Sequence, residues 1–213
     1  MPRKKLKWPN SALCLVLGLC LIPTLAFSRA YQVDIIVFKN IETSTAAEPL
    51  SPSWTDRDFS GVVELSPSML LPTEKSQLQN ALLALKKSQP YQVLFSQSFV
   101  SDFKQGHKKT FRISSDEHYV WPPLSLDENN LPADPLSSNT YPVVDGKISF
   151  TLGYYFDIDV KLQVLQQQEA TSPPLAYHIE QSLRSGSKKL LYLDNPHYGV
   201  LLYLSPAGST YVD

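Results

Sequence analysis

Ser185-Gly186-Ser187-Lys188 has the S-x-x-K spacing of penicillin-recognising enzymes, and Ser137-Ser138-Asn139 matches their S-x-N. In those enzymes the serine opens a helix in a larger domain and a K-T-G strand completes the site. Here the serine falls in a turn between strand-like segments, no K-T-G is present, and S-x-x-K recurs at Ser101–Lys104, so the matches read as chance. Asp157 and Asp159 share one face of a strand, roughly 7 Å apart at two residues' rise. Paired carboxylates cleave glycosidic bonds when one is held protonated. With Lys161 next in line, the competing reading is a solvated polar face. Asp116, Glu117 and His118 are the densest metal-like group, but they are adjacent in a polar loop and lack the spaced histidines of a zinc site. His178 and His197 have no evident partner, and neither a Gly-rich phosphate loop nor a G-x-S-x-G elbow occurs. No catalytic set, metal site or cofactor is expected.

Binding chemistry is better represented. Recognition of sugars needs aromatic faces for the rings and polar groups for hydroxyls and carboxylates. Arg184, Tyr192, Asp194, Asn195 and His197 lie around two turns and form the candidate ligand set. Core packing by Tyr192 and turn formation by Asn195-Pro196 account for several of the same residues. Trp121, followed by Pro122-Pro123, is the candidate partner-binding residue.

These residues must be carried by an exported chain. Arg3, Lys4, Lys5 and Lys7 precede an apolar run, Ala12–Leu21, too short to span a hydrocarbon core of roughly 30 Å. Pro23 follows, then small residues suited to a signal peptidase. The expected leader is residues 1–30, cut after Ala30, with Ala26 as the alternative. Its removal lowers Lys+Arg from 19 to 14 against an unchanged 20 Asp+Glu, a net charge of −6. Such acidity disfavours nucleic acid and anionic lipid as partners. Cys14 and Cys20 also leave, so the remaining 183 residues have no disulfide and no membrane span, and must fold on their core alone. A single periplasmic domain, 31–213, is expected.

Tyr31–Phe38 reads as a strand, half-covered at its start and sandwiched at its end. Long Pro-rich loops are expected near 40–72 and 114–145. Thr73–Ser88 reads as the one clear helix, with Thr73 as N-cap and Lys86 and Lys87 in the last turn; a strand follows from Tyr91 to Val100. From Ile148 to Val164 every even residue is apolar, and the odd ones are mostly polar. A two-residue hairpin would switch that parity, so the segment reads as one long strand bent at Gly153. The turn at Ser185–Ser187 predicts a hairpin returning through Leu190–Leu193, and Val200–Leu204 a buried strand. The fold class is α+β: a largely antiparallel, strongly twisted sheet with one main helix packed on it.

Three segments together resemble the CsiV family of periplasmic peptidoglycan-binding proteins. They are YQVDIIVFKN from Tyr31, ALLALKKSQPYQVLFSQ from Ala81, and LRSGSKKLLYLDNPHYGVLLYLSP from Leu183 to Pro206. The Leu193-Asp194-Asn195-Pro196 turn and Gly199-Val200-Leu201 are the most specific part. The chain departs where the family has consecutive arginines: Gln181, Ser182 and Leu183 leave only Arg184. The resemblance implies a non-enzymatic accessory of cell-wall synthesis that binds peptidoglycan, with the lipoprotein activator of a bifunctional penicillin-binding protein as a further partner. The alternatives are an envelope protein–protein adaptor without glycan affinity and a cell-wall hydrolase using Asp157 or Asp159.

Overall fold

The computed structural model describes residues 28–41, 58–121, 139–167 and 174–208. Alternating apolar residues place β1 (Ser28–Asn40) at the centre of a five-stranded antiparallel sheet, here called sheet A. Its order is β10 (Leu190–Asp194), β11 (Tyr198–Pro206), β1, β3 (Tyr91–Lys104) and the short β2 (Leu70–Leu71). Sheet B has the order β4 (Lys108–Ser114), β7 (Val144–Leu152), β8 (Phe156–Gln166) and β9 (Leu175–Ser185). The pairings within both sheets are antiparallel.

The chain therefore builds two sheets rather than one, and their apolar faces share a core. Tyr31, Val33, Ile35 and Val37 of β1 meet Phe111, Phe150, Phe156 and Ile158 of sheet B in one buried cluster. Phe103 is its hub, edge-on to Tyr31, Phe111, Phe150 and Phe156 at ring-centroid distances of 5.6 to 6.0 Å. Burying each such ring contributes about 1.5–3 kcal/mol, with T-shaped contacts adding to it.

The even residues of β1 face the other way, and from Gln32 to Phe38 they too are buried. Ile36 and Phe38 form a second cluster with Leu78, Leu82 and Tyr203, so α1 (Gln79–Lys87) lies over the outer face of sheet A. The expected helix is shorter than its apolar spacing suggested. Thr73–Lys75 is a separate 3-10 turn, and Thr73 caps nothing, because Ser76 returns to extended backbone and breaks the run. Nor is β1 half-covered at its start, since Gln32 and Asp34 are buried beside that turn. Asp34 accepts from Gln32 Nε2 (3.0 and 3.1 Å), Ser98 Oγ (2.5 Å) and the Gln77 amide (3.3 Å), while Gln32 Nε2 also donates to the Lys75 carbonyl (2.8 Å). A fully buried carboxyl persists only with such donors.

Two expected strands are corrected. Residues 147–165 are not one strand but the β7–β8 hairpin, turning through Gly153, Tyr154 and Tyr155. Leu152 pairs with Phe156, and a three-residue loop keeps even residues on one face, so unbroken parity permits a hairpin after all. Second, Leu190–Leu193 does not return along β9. Residues 186–189 carry the chain from sheet B to sheet A, where β10 pairs with β11 through the Asp194-Asn195-Pro196 turn. The loop expected at 114–145 contains a two-stranded ladder, β5 (His118–Trp121) with β6 (Asn139–Pro142). That expected at 40–72 contains a parallel bridge from Val63 to Phe111. Trp54, residues 122–138 and the leader through Phe27 lie outside the described residues.

Candidate functional site

Opposite the core, the outer face of sheet B is polar. Strand register sets it in rows. Lys108, Thr151, Asp157 and Arg184 lie side by side across β4, β7, β8 and β9. Thr110, Ser149, Asp159 and Ser182 form the next row, and Arg112, Lys147, Lys161 and Glu180 the third. Neighbouring strands are about 4.8 Å apart, so the twelve side chains make a continuous array. It carries five cations and three carboxylates, and Arg112 at its edge is further paired with Asp145 (3.3 Å) and Glu64 (3.6 Å).

The array is knitted by exposed pairs. Lys108 Nζ donates to Asp159 Oδ2 (2.8 Å), Ser182 Oγ to Asp159 Oδ1 (2.8 Å), and Arg184 grips Asp157 with Nε (2.5 Å) and Nη2 (3.0 Å). Lys161 and Glu180 meet more loosely at 3.6 Å. Exposed pairs of this kind are worth about 0–1 kcal/mol, so a ligand carboxylate or ammonium can replace either member at little cost.

Residues 58–63 wall one side of this face. Lys147 Nζ donates to the Asp58 carbonyl (2.7 Å), and Arg112 lies 4.3 Å from the Phe59 ring centroid. The Val63 amide donates to Thr110 O (2.8 Å) and the Arg112 amide to Val63 O (3.1 Å), fixing the segment to the β4 edge. Beneath it lies a cavity of about 270 Å³, lined by Lys108, Lys147 and Lys161 with Thr110, Ser149 and Asp159. A neighbouring cavity of about 250 Å³ continues past Lys147 and Lys161 to His178 and Glu180. Three ammonium groups beside three hydroxyls, Ser60 included, and one carboxylate suit an anionic, hydrogen-bonding ligand.

Asp157 and Asp159 do not fit a hydrolytic pair. The hydrogen bond from Arg184 holds the Asp157 carboxyl below the usual carboxylate range, and bonds from Lys108 and then Ser182 do the same for Asp159. Glycoside cleavage needs one carboxyl shifted upward, as a proton donor at neutral pH. Ser185 of the S-x-x-K match ends a strand, buried, its hydroxyl donating to the Gly186 carbonyl.

The ligand set expected from sequence is divided. Arg184 stands on sheet B. Tyr192 and Asp194 stand on the outer face of sheet A, where Tyr192 Oη donates to Asp194 Oδ1 (2.8 Å). Shielding of the phenol, then that bond, pushes the Tyr192 pKa up to about 12, so it is a neutral donor across the ordinary pH range. Asn195 shapes the turn, accepting from the His197 amide (3.1 Å) and donating to His178 O (3.4 Å). His197 is buried against Tyr177 and Tyr198, behind the surface. The Trp121 backbone pairs with Asn139 at the foot of the undescribed 122–138 segment. No metal-holding group of His, Cys, Asp or Glu occurs among the described residues, and His118 Nδ1 lies 2.6 Å from the Asp116 carbonyl oxygen. Missed from sequence were Lys108, Thr110, Lys147 and Ser149; the signal available was the polar parity of residues 147–163, and its meaning needed the register.

A helix-backed β-sandwich with an open polar sheet face, walled by a short segment, is the build of a recognition module. The chain belongs to the CsiV family: the family model described as "Peptidoglycan-binding protein, CsiV" matches residues 58–207. The match begins at the wall segment and covers all of sheet B. No curated protein and no solved structure matches the chain.

Proposed function

We propose that the protein binds peptidoglycan in the periplasm through the outer face of sheet B, as a non-enzymatic accessory of cell-wall synthesis. The observation that carries this reading is the convergence of Lys108, Lys147 and Lys161 on one hydroxyl-lined cavity. Peptidoglycan stem peptides carry free carboxylates and amines along a short extended chain, and the array offers both cations and carboxylates. Family membership supports the same ligand. The resemblance also points to cooperation with the lipoprotein activator of a bifunctional penicillin-binding protein, which the proposal includes as partner.

Lys108 and Lys161 are more than half exposed, so charge reversal leaves the fold intact. The Lys108→Glu, Lys161→Glu double variant is expected to lose about tenfold or more of its retention on sedimented sacculi, two charge-assisted contacts being replaced by repulsion. Equal retention of the variant and the parent would reject the face as the site. Failure of both to sediment would reject peptidoglycan as the ligand, leaving the adaptor reading.

Export is part of the proposal, and β1 bears on where the leader is cut. No described helix is long and apolar enough to cross a membrane. Ser28, Arg29 and Ala30 pair with Lys104, Phe103 and Asp102, and the Ala207 amide donates to Ala30 O (2.9 Å). Cleavage after Ala30 would remove these three residues from the central strand, whereas cleavage after Ala26 spares them. The exported protein is expected to begin at Phe27, and intact-mass measurement decides between Phe27 and Tyr31.

A further inference from the structure

We infer that the opposite side of the sandwich carries a second, saccharide-stacking site formed by Tyr192, Tyr91 and Asp194 and backed by the buried Phe38. The inference rests on the peptidoglycan reading for its biological ligand, but its geometry is independent of sheet B.

Gly199 is the pivot. It lies between Phe38 of β1 and Asp194 of β10 in the register of sheet A. A Cβ there would come 2.4 Å from Phe38 Cζ and 2.9 Å from Tyr192 Cε2, so both rings occupy the space above this one residue. Their planes differ by only 11°, with centroids 6.3 Å apart. Phe38 is only 6% exposed, so it backs the Tyr192 ring, and Tyr192 supplies the accessible face. Tyr91 packs against the same buried ring at 84° and 5.4 Å.

The two tyrosines are the accessible part of this group. Tyr192 is 56% exposed and Tyr91 37%, although a tyrosine in a sheet of this kind gains by burying its ring. Asp194 is exposed and uses Oδ1 to accept from Tyr192, leaving Oδ2 as an acceptor for an incoming hydroxyl. A flat aromatic surface with a carboxylate at its rim is complementary to a pyranose, which offers an apolar C–H face and equatorial hydroxyls. It is not complementary to a stem-peptide carboxylate, which Asp194 would repel. The occupant is therefore the sugar backbone, with peptide contacts left to sheet B.

The test uses the mature protein and glycan strands stripped of peptide by an amidase, with chitohexaose as a soluble probe, followed by NMR shift changes. Wild type is expected to bind both. Tyr192→Ala is expected to lose about tenfold or more of that affinity, while Tyr192→Phe, which keeps the ring, stays within about threefold. Intact sacculi separate this inference from the broader reading, because sheet B still retains Tyr192→Ala on them. No binding of stripped strands by wild type, or unchanged binding by Tyr192→Ala, overturns the saccharide site while leaving the peptide reading standing. Loss of sacculus binding by the lysine variant with stripped-strand binding preserved supports two separate sites.

Discussion

Gly146→Ala is expected to destabilise the protein by about 3 kcal/mol or more, in strain and overpacking together. Gly146 sits in β7 at φ +156°, where side chains are rarely accommodated, directly opposite Leu162 of β8. An added Cβ would lie 2.2 Å from the Lys161 carbonyl oxygen and 2.8 Å from Leu162 Cα, both backbone atoms of a paired strand. Backbone cannot rotate away, so β7 and β8 must separate. Gly61 and Gly106 also have positive φ but meet nothing within 4 Å, and serve as controls expected to lose only about 1 kcal/mol to strain. Urea unfolding compares the three, and a loss below about 1 kcal/mol at Gly146 would show that the strands yield more easily than their register implies. Because Lys147 and Lys161 flank the same contact, ligand retention should fall as well.

Asp34→Ala is the second large effect, about 2–4 kcal/mol, from stranding buried donors. Gln32 Nε2, Ser98 Oγ and the Gln77 amide all converge on this carboxyl, which has no exposed surface. Asn is not expected to rescue it. Gln32 Nε2 donates to both oxygens, at 3.0 and 3.1 Å, and an amide nitrogen in either place sets donor against donor. The network joins β1 and β3 to the segment entering α1, so amide exchange should rise first in 76–87. Stability within about 0.5 kcal/mol of the parent would mean that water replaces the lost acceptor.

Much of sheet A is legible in the sequence because its signals are local. Val200–Leu204 is apolar on both faces and Tyr31–Phe38 on one face throughout and on the other at Ile36 and Phe38, and both strands are covered on both sides, by sheet B and by α1 or its neighbours. The polar face of sheet B was legible as parity in residues 147–163, but not as a site. Lys108 meets Asp159 across 51 positions of chain, and no local spacing encodes that pairing. The β7–β8 hairpin was hidden because odd loops leave period two intact. Tyr192 and Asp194 are two apart on one strand, so their closeness follows from local spacing. The place of Arg184 does not, since a turn between strands does not reveal whether they join one sheet or two. From Gln181, whose side chain donates to Asp194 O (3.1 Å), Arg184 is three residues further along β9, about 10 Å.

The most direct test of binding through sheet B is titration of the isotope-labelled mature protein with a soluble stem tetrapeptide bearing free carboxylates and no sugar. The account predicts that the largest amide and lysine side-chain shifts fall at Lys108, Thr110, Ser149, Asp159 and Lys161, and shrink with added salt. Shifts confined to other elements, or none at millimolar peptide, would contradict it.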